Sequence, residues 1–238
     1  MKIIKPSIVL VRPQLPENIG LVARAMDNCG LENLILVNPR EKWPNKFSLK
    51  SSANSKKIII KTKVYKSLEE ALSDFHFVVA TSNRKRFIRK PYKNDINQLF
   101  KKFTLNQKTA FIFGPENSGL SNEDLKLSDI VFNIDTAKSN TSLNLSHAVL
   151  LMSFSWRDFF ILKKKKINKN DLNDKIAPKK DFIFFMEFLK KELEDVGFLY
   201  PKSKSKSILL NIQSMLMRSS LSKTEIQTLW GMIKKLRK

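Results

Sequence analysis

Three polar stretches hold the side chains with the most chemistry to offer, and each follows an apolar run. The first, 16–26 (PENIGLVARAM), contains Asn18 and Arg24. Helical spacing gathers Ile19, Val22, Ala23 and Met26 on one buried face and leaves the Arg24 cation well off it. The second, 113–123 (FGPENSGLSNE), sets Glu116 between Gly114, Pro115 and Gly119, a composition that makes a sharp turn and lets a ligand approach the backbone closely. The third, 141–147 (TSLNLSH), offers Ser142, Asn144 and His147. Each also has a plain structural reading: Asn18 as a helix cap with Arg24 solvated, 113–123 as a strand-to-helix turn capped by Ser121, and 141–147 as caps beside a packed or half-exposed His147. The available chemistry is bounded by what is missing. No Ser/His/Asp or Cys/His arrangement supports a covalent intermediate. Neither G-x-G-x-x-G nor a P-loop follows a strand, which argues against dinucleotide enzymes, ordinary NTPases and Rossmann-type methyltransferases. One cysteine and two histidines do not make a zinc site, so no metal is expected.

The elements that position these loops alternate along the first two-thirds of the chain. Apolar runs predict strands at 7–11, 33–37, 57–61, 77–80, 109–113 and 130–134. Helical patterns fall at 19–29, 67–73, 95–103 and 144–162, with Gly30 closing the first and Ser67 and Glu70 at capping-box spacing in the second. Nearly continuous apolar strands separated by helices predict an α/β fold, a mostly parallel sheet with helices on both faces. In such sheets ligands bind beyond the carboxyl ends of the strands, where the three loops lie. The stretch 163–180 (KKKKINKNDLNDKIAPKK) is polar and basic and suits a linker. Beyond it, helical patterns at 182–196, 207–218 and 222–237 predict a small helical extension, with Ser222 and Glu225 again at capping-box spacing. The expected division is a domain over 1–162, a linker over 163–180 and an extension over 181–238.

A net charge of +22 points to a polyanionic partner. Lysine outnumbers arginine 35 to 9, but exchanging one for the other leaves net charge unchanged, so lysine bias does not explain the excess. The run 7–11 is too short for a signal peptide, and 148–162, broken by Arg157 and Asp158, falls short of the roughly 20 residues a bilayer requires. With a lone cysteine, Cys29, the chain reads as a cytoplasmic protein without disulfides or a membrane span.

In order, N-x-x-x-x-x-R, F-G-P-E-x-S-G-L and S-L-N-L-S-H-A-V resemble the three signature motifs of the SpoU/TrmH family of SPOUT RNA 2′-O-ribose methyltransferases. The resemblance covers roughly residues 7–162. It implies S-adenosylmethionine as methyl donor, a homodimer whose active site is completed across the interface, and a deep trefoil knot over roughly 109–162. Knots are nearly absent from proteins, so pattern reasoning alone does not predict one. Carried onto this sequence, the family's cofactor loops are Thr81, Ser82 and Asn83, then Gly114, Pro115, Glu116 and Gly119, then Ile134, and finally Ser142, Leu143 and Asn144. The resemblance makes Arg24 the catalytic arginine, Asn18, Glu116 and Asn144 positioning residues, and Ser142 a contact near the methyl donor.

An early first strand leaves no room for the N-terminal RNA-binding domain of members that modify ribosomal RNA, and minimal wobble-nucleotide members lack a helical tail. The layout, and the stretch 19–40, resemble the TrmJ-type subfamily, which methylates cytidine or uridine 32 of the tRNA anticodon loop. Another tRNA nucleotide, ribosomal RNA, or an RNA-binding protein without catalysis are the competing expectations. RNA phosphates are expected at Arg24, at Arg84, Lys85, Arg86, Arg89 and Lys90, and at Lys163 and Lys164.

Overall fold

The computed structural model describes residues 4–83, 91–104, 106–137, 139, 142–162 and 176–236. The expected RNA contacts at Arg84, Lys85, Arg86, Arg89, Lys90, Lys163 and Lys164 lie outside the described residues, as does 163–175 of the expected linker.

Seven strands form one parallel sheet: β1 (Ser7–Val11), β2 (Leu34–Val37), β3 (Lys63–Tyr65), β4 (Phe77–Thr81), β5 (Tyr92–Lys93), β6 (Thr109–Phe113) and β7 (Ile130–Phe132), in the order β3-β2-β1-β6-β4-β7-β5. The α/β expectation holds. Strands β1, β2, β6 and β7 are buried along their whole length, which is why they read as continuous apolar runs.

Helices cover both faces. On one face α1 (Pro16–Asn28), α3 (Lys56–Lys61), α5 (Ile96–Phe100) and α7 (Leu145–Arg157) bury Ile19, Val22, Met26, Ile58, Ile59, Phe100, Val149 and Trp156 against Ile8, Leu10 and Phe111. Also here is α2 (Lys46–Ser51), which lies against α1. The other face carries α4 (Leu68–Leu72) and α6 (Asn122–Leu125), whose Leu68, Leu72 and Leu125 meet Val9, Val78 and Ile112. Cap chemistry ends several of these helices where expected. Ser67 Oγ accepts from Glu70 N (3.1 Å), and Gly30 N and Leu31 N donate to Asp27 O and Met26 O beyond α1.

One expected strand is a helix. The β-branched run at 57–61 forms α3, with Ile58 and Ile59 buried and Ile60 exposed. β-Propensity expresses packing on a pleated surface, and the edge of this sheet beside β2 is taken by β3. Packing against α1 and α2 decides the backbone of 57–61 instead.

The tail forms α8 (Lys179–Asp195), α9 (Lys202–Arg218) and α10 (Lys223–Leu236) around Phe182, Phe185, Met217 and Ile226. Residues 176–180, expected within the linker, are structured. Ile176 bridges to Ser222, and α8 begins at Lys179. The polar composition misleads because Lys179 is buried and paired: its Nζ lies 2.9 Å from Asp129 Oδ1. At α9, Lys206 and Lys126 hold the Glu123 carboxyl below its ordinary pKa against the opposing effect of burial, and Gln213 Nε2 donates to Lys126 O (3.3 Å). Ser222 and Glu225 close the expected capping box at α10.

Candidate active site

Helix α1 starts earlier than the apolar pattern indicates, with Leu15 as its cap residue and Pro16 in its first turn. Asn18 therefore stands inside the helix, and its side chain is free to reach across the site. Its Nδ2 donates to Glu116 Oε1 (2.9 Å), and its Oδ1 accepts from Asn144 Nδ2 (3.3 Å). Glu116 Oε2 accepts from the backbone N–H of Gln14 (2.9 Å). Asn144 caps α7 through its Oδ1, which accepts from Ser146 N (2.9 Å) and Ser146 Oγ (2.8 Å). One hydrogen-bonded chain thus joins the three motif stretches, with Asn18 lying 98 residues from Glu116 and 126 from Asn144 in sequence. Asn18 is buried, so each lost partner would leave a polar group unsatisfied.

Beside this chain lies a cavity of about 290 Å³. It is lined by Thr81, Ser82 and Asn83 at the carboxyl end of β4, by 113–117 and Gly119 beyond β6, by Ile134 beyond β7, and by Ser142, Leu143, Leu145 and Ala148 at the start of α7. Every residue expected at the cofactor lines it except Asn144, which adjoins it through Leu143 and Leu145. Phe113, Leu145 and Ala148 were not singled out from the sequence. Position 113 ends a strand, and 145 and 148 share one face of a helix at i, i+3, so periodicity held that signal.

The loop after β6 depends on two glycines. A Cβ at Gly114 would sit 2.3 Å from Leu120 N and 2.4 Å from Gly119 C, so only glycine lets the loop close on itself. Gly119 has φ +65°, and a Cβ there would meet nothing within 4 Å, so the backbone faces the cavity bare. The far end of the loop is pinned by Ser121 and Asp124, which form a capping box on α6, and by Arg12, whose guanidinium grips both Asp124 oxygens. The capped-turn reading of 113–123 is met, and the same loop lines the cavity.

Burial pushes the Asp124 carboxyl up, but Arg12 and the Ser121 N–H and O–H outweigh it, and its pKa lies below the ordinary value. A folded pKa below the unfolded one stabilises the fold above the unfolded carboxylate range and is lost as pH falls through the folded value. Arg12→Gln is expected to lower the urea midpoint at pH 7, with the gap to wild type closing as pH falls from about 5 toward 3. A gap that stays constant over that range would show the pair to be uninvolved.

Arg24 is exposed, as its position off the apolar face predicts, and makes no hydrogen bond or ion pair with another described residue. It belongs to an exposed stripe of α1 formed by Glu17, Leu21, Arg24 and Asn28. Within one chain Arg24 does not line the cavity. His147 is exposed and also absent from the cavity lining.

The profile of the SpoU rRNA Methylase family matches residues 5–154. A tRNA (cytidine/uridine/adenosine-2′-O-)-methyltransferase TrmJ from Pseudomonas aeruginosa is 30% identical over 241 residues, covering 97% of this chain and 93% of its own. A Haemophilus influenzae protein named as an uncharacterized tRNA/rRNA methyltransferase is 30% identical over 97% of this chain and 94% of its own. Among solved structures, TrmJ from Z. mobilis aligns with a TM-score of 0.87 at 31% identity, covering 99% of this chain and 100% of that one. The matched stretch contains all three motif stretches and every residue of the cavity lining, and the chain belongs to the SpoU methylase family.

Proposed function

We propose that this protein transfers the methyl group of S-adenosylmethionine to a ribose 2′-hydroxyl of tRNA, at nucleotide 32 of the anticodon loop, as a cytoplasmic homodimer. The observation that carries the reading is the hydrogen-bonded chain from Gln14 through Glu116 and Asn18 to Asn144, at the edge of a cavity lined by the family's cofactor loops. The name of the Pseudomonas aeruginosa relative supports tRNA as the substrate. Nucleotide 32 rests on the resemblance of 19–40 and of the overall layout to the TrmJ-type subfamily. The same reading takes 1–162 as the catalytic domain, its chain knotted between about 109 and 162, with the tail helices as an appended unit. Among the described residues no helix is long and apolar enough to cross a membrane.

The cavity fits the methyl donor in charge and shape. Its described lining holds one carboxylate, Glu116, and no cation, which suits a ligand of net positive charge. Bare backbone at Gly119 admits close approach. When bound, S-adenosylmethionine supplies an electrophilic methyl carbon for in-line attack by the ribose oxygen. Orientation of the two reactants then contributes much of the rate. Arg24 grips the neighbouring phosphate and the 2′-oxygen with its planar fork and stabilises the negative charge that develops there. A guanidinium holds its proton too tightly to serve as a general base. Asn18, Glu116 and Asn144 hold the loops in register, and Ser142 lies at the cavity wall.

Homodimerisation is supported by an apolar face on the two helices nearest the site. Leu150, Leu151 and Phe154 of α7 are 39%, 45% and 55% exposed, and Leu15 and Leu21 extend the patch at α1. Exposed large apolar side chains on two helices that pack together suit an interaction site. Because Arg24 shares the exposed stripe of Leu21, a second copy seated there would bring its own cavity toward Arg24.

The test is methyl transfer from labelled S-adenosylmethionine to unmodified tRNA, with the modified nucleotide mapped. Ribose methylation in the anticodon loop is expected. Transfer to ribosomal RNA instead would replace the substrate, and no transfer to either RNA despite bound cofactor would overturn the reading.

A further inference from the structure

We infer that the exposed basic surface of 40–66, built on α2 and α3 beside Arg24, is the platform that receives the RNA substrate's phosphates. The inference rests on the function proposed above and adds where the RNA lies. Residues 40–66 hold nine Lys and Arg against one acid, Glu41, and all nine cations are exposed. The adjoining stretch 67–83 holds three acids and no Lys or Arg. A compositional excess of lysine would act on both stretches alike, so the contrast is a property of the surface and not of the composition.

Geometry places this surface along the helix that carries Arg24. Ser51 Oγ donates to Glu17 O (2.9 Å) near the start of α1. One turn on, a Cβ at Gly20 would lie 2.0 Å from Ser51 Oγ and 2.3 Å from Ser48 O, so the glycine is what allows α2 to lie this close. Further along, Ser55 Oγ donates to Asp27 Oδ2 (2.9 Å), and Lys57 pairs with Asp27 (3.3 Å). The segment therefore runs beside α1 from Glu17 to Asp27, past the exposed Arg24. Lys46, Lys50 and Lys56 make no ion pair among the described residues, which leaves their charge available to phosphate. Phe47 is 47% exposed with Lys46 Nζ 5.3 Å from its ring centroid. Unpaired bases stack on exposed aromatic rings along basic surfaces. Together these features offer phosphate and base contacts within reach of the group assigned to the 2′-oxygen.

The experiment measures the Kd of unmodified tRNA across ionic strengths for the wild type, for Lys46→Gln/Lys50→Gln/Lys56→Gln, and for a control triple Lys5→Gln/Lys102→Gln/Lys108→Gln at the amino ends of the strands. Affinity for S-adenosylmethionine, measured separately, reports that each variant keeps its fold. The first triple is expected to lower the slope of log K against log salt by about two to three units and to weaken binding about ten- to a hundred-fold near physiological salt. The control is expected to keep the wild-type slope. Phe47→Ala is expected to weaken binding about ten-fold at constant slope, because stacking releases no counterions. An unchanged slope in the first triple, or an equal fall in both triples, would overturn the platform. Because binding is read without turnover, a wild type that binds tRNA but transfers no methyl group would defeat the proposed function while leaving the platform decided by its slopes.

Discussion

Replacing Arg24 with alanine is expected to lower methyl transfer at saturating substrates by about 10³-fold while S-adenosylmethionine affinity stays within about two-fold of wild type. Arg24 is exposed on α1 and makes no bond with another described residue, so its removal takes nothing from the fold. Alanine is also the better helix former. A fall in rate would therefore report lost stabilisation of the reacting oxygen and not lost protein. Arg24→Lys keeps the charge but not the planar fork, and a deficit of about ten- to a hundred-fold is expected from it. Single-turnover transfer with preloaded donor separates this from product release. Activity of the alanine variant within ten-fold of wild type would remove Arg24 from the chemistry.

The second large effect is structural. Asp129 and Lys179 are both almost wholly buried and form an ion pair at 2.9 Å between the start of α8 and the residue before β7. Asp129 Oδ2 also accepts from Val78 N (2.7 Å), while the backbone N–H groups of Lys179 and Lys180 donate to Phe75 O and Ser73 O. Removing one member of such a pair leaves the other charged, desolvated and unpaired. Lys179→Met is thus expected to cost about 3–5 kcal/mol in urea denaturation. Asp129→Asn/Lys179→Met retains an acceptor for Val78 N without a buried charge and is expected to recover most of that loss. A loss below about 1 kcal/mol in the single variant would show that water reaches the pair. Limited proteolysis adds a separate readout, because a variant whose tail has undocked is cleaved there before the domain unfolds.

The same ion pair illustrates what could not be read in advance. Lys179 and Lys180 stand in a lysine-rich, polar stretch, and local composition has no means of signalling that a carboxylate 50 residues away waits in the core. The run 57–61 failed for a related reason. Its β-branched residues have a strand preference worth little beside the packing of Ile58 and Ile59 under α1. The charge excess of 40–66 is legible in the sequence, but its place beside Arg24 is decided only when α2 and α3 pack along α1.

The sequence by itself determined the α/β class, the central strands β1, β2, β4 and β6, and the three loops with their order. These depend on apolar periodicity and on residue types that act within a few positions of one another. Only the tertiary structure decided that Asn18, Glu116 and Asn144 share one hydrogen-bonded chain, that Asn18 is not a cap, and that Arg24 stands apart from the cavity of its own chain. Hydrogen bonds between residues about a hundred positions apart depend on the register of the sheet and the angle of α1 against α7, and no local pattern of residue types encodes either.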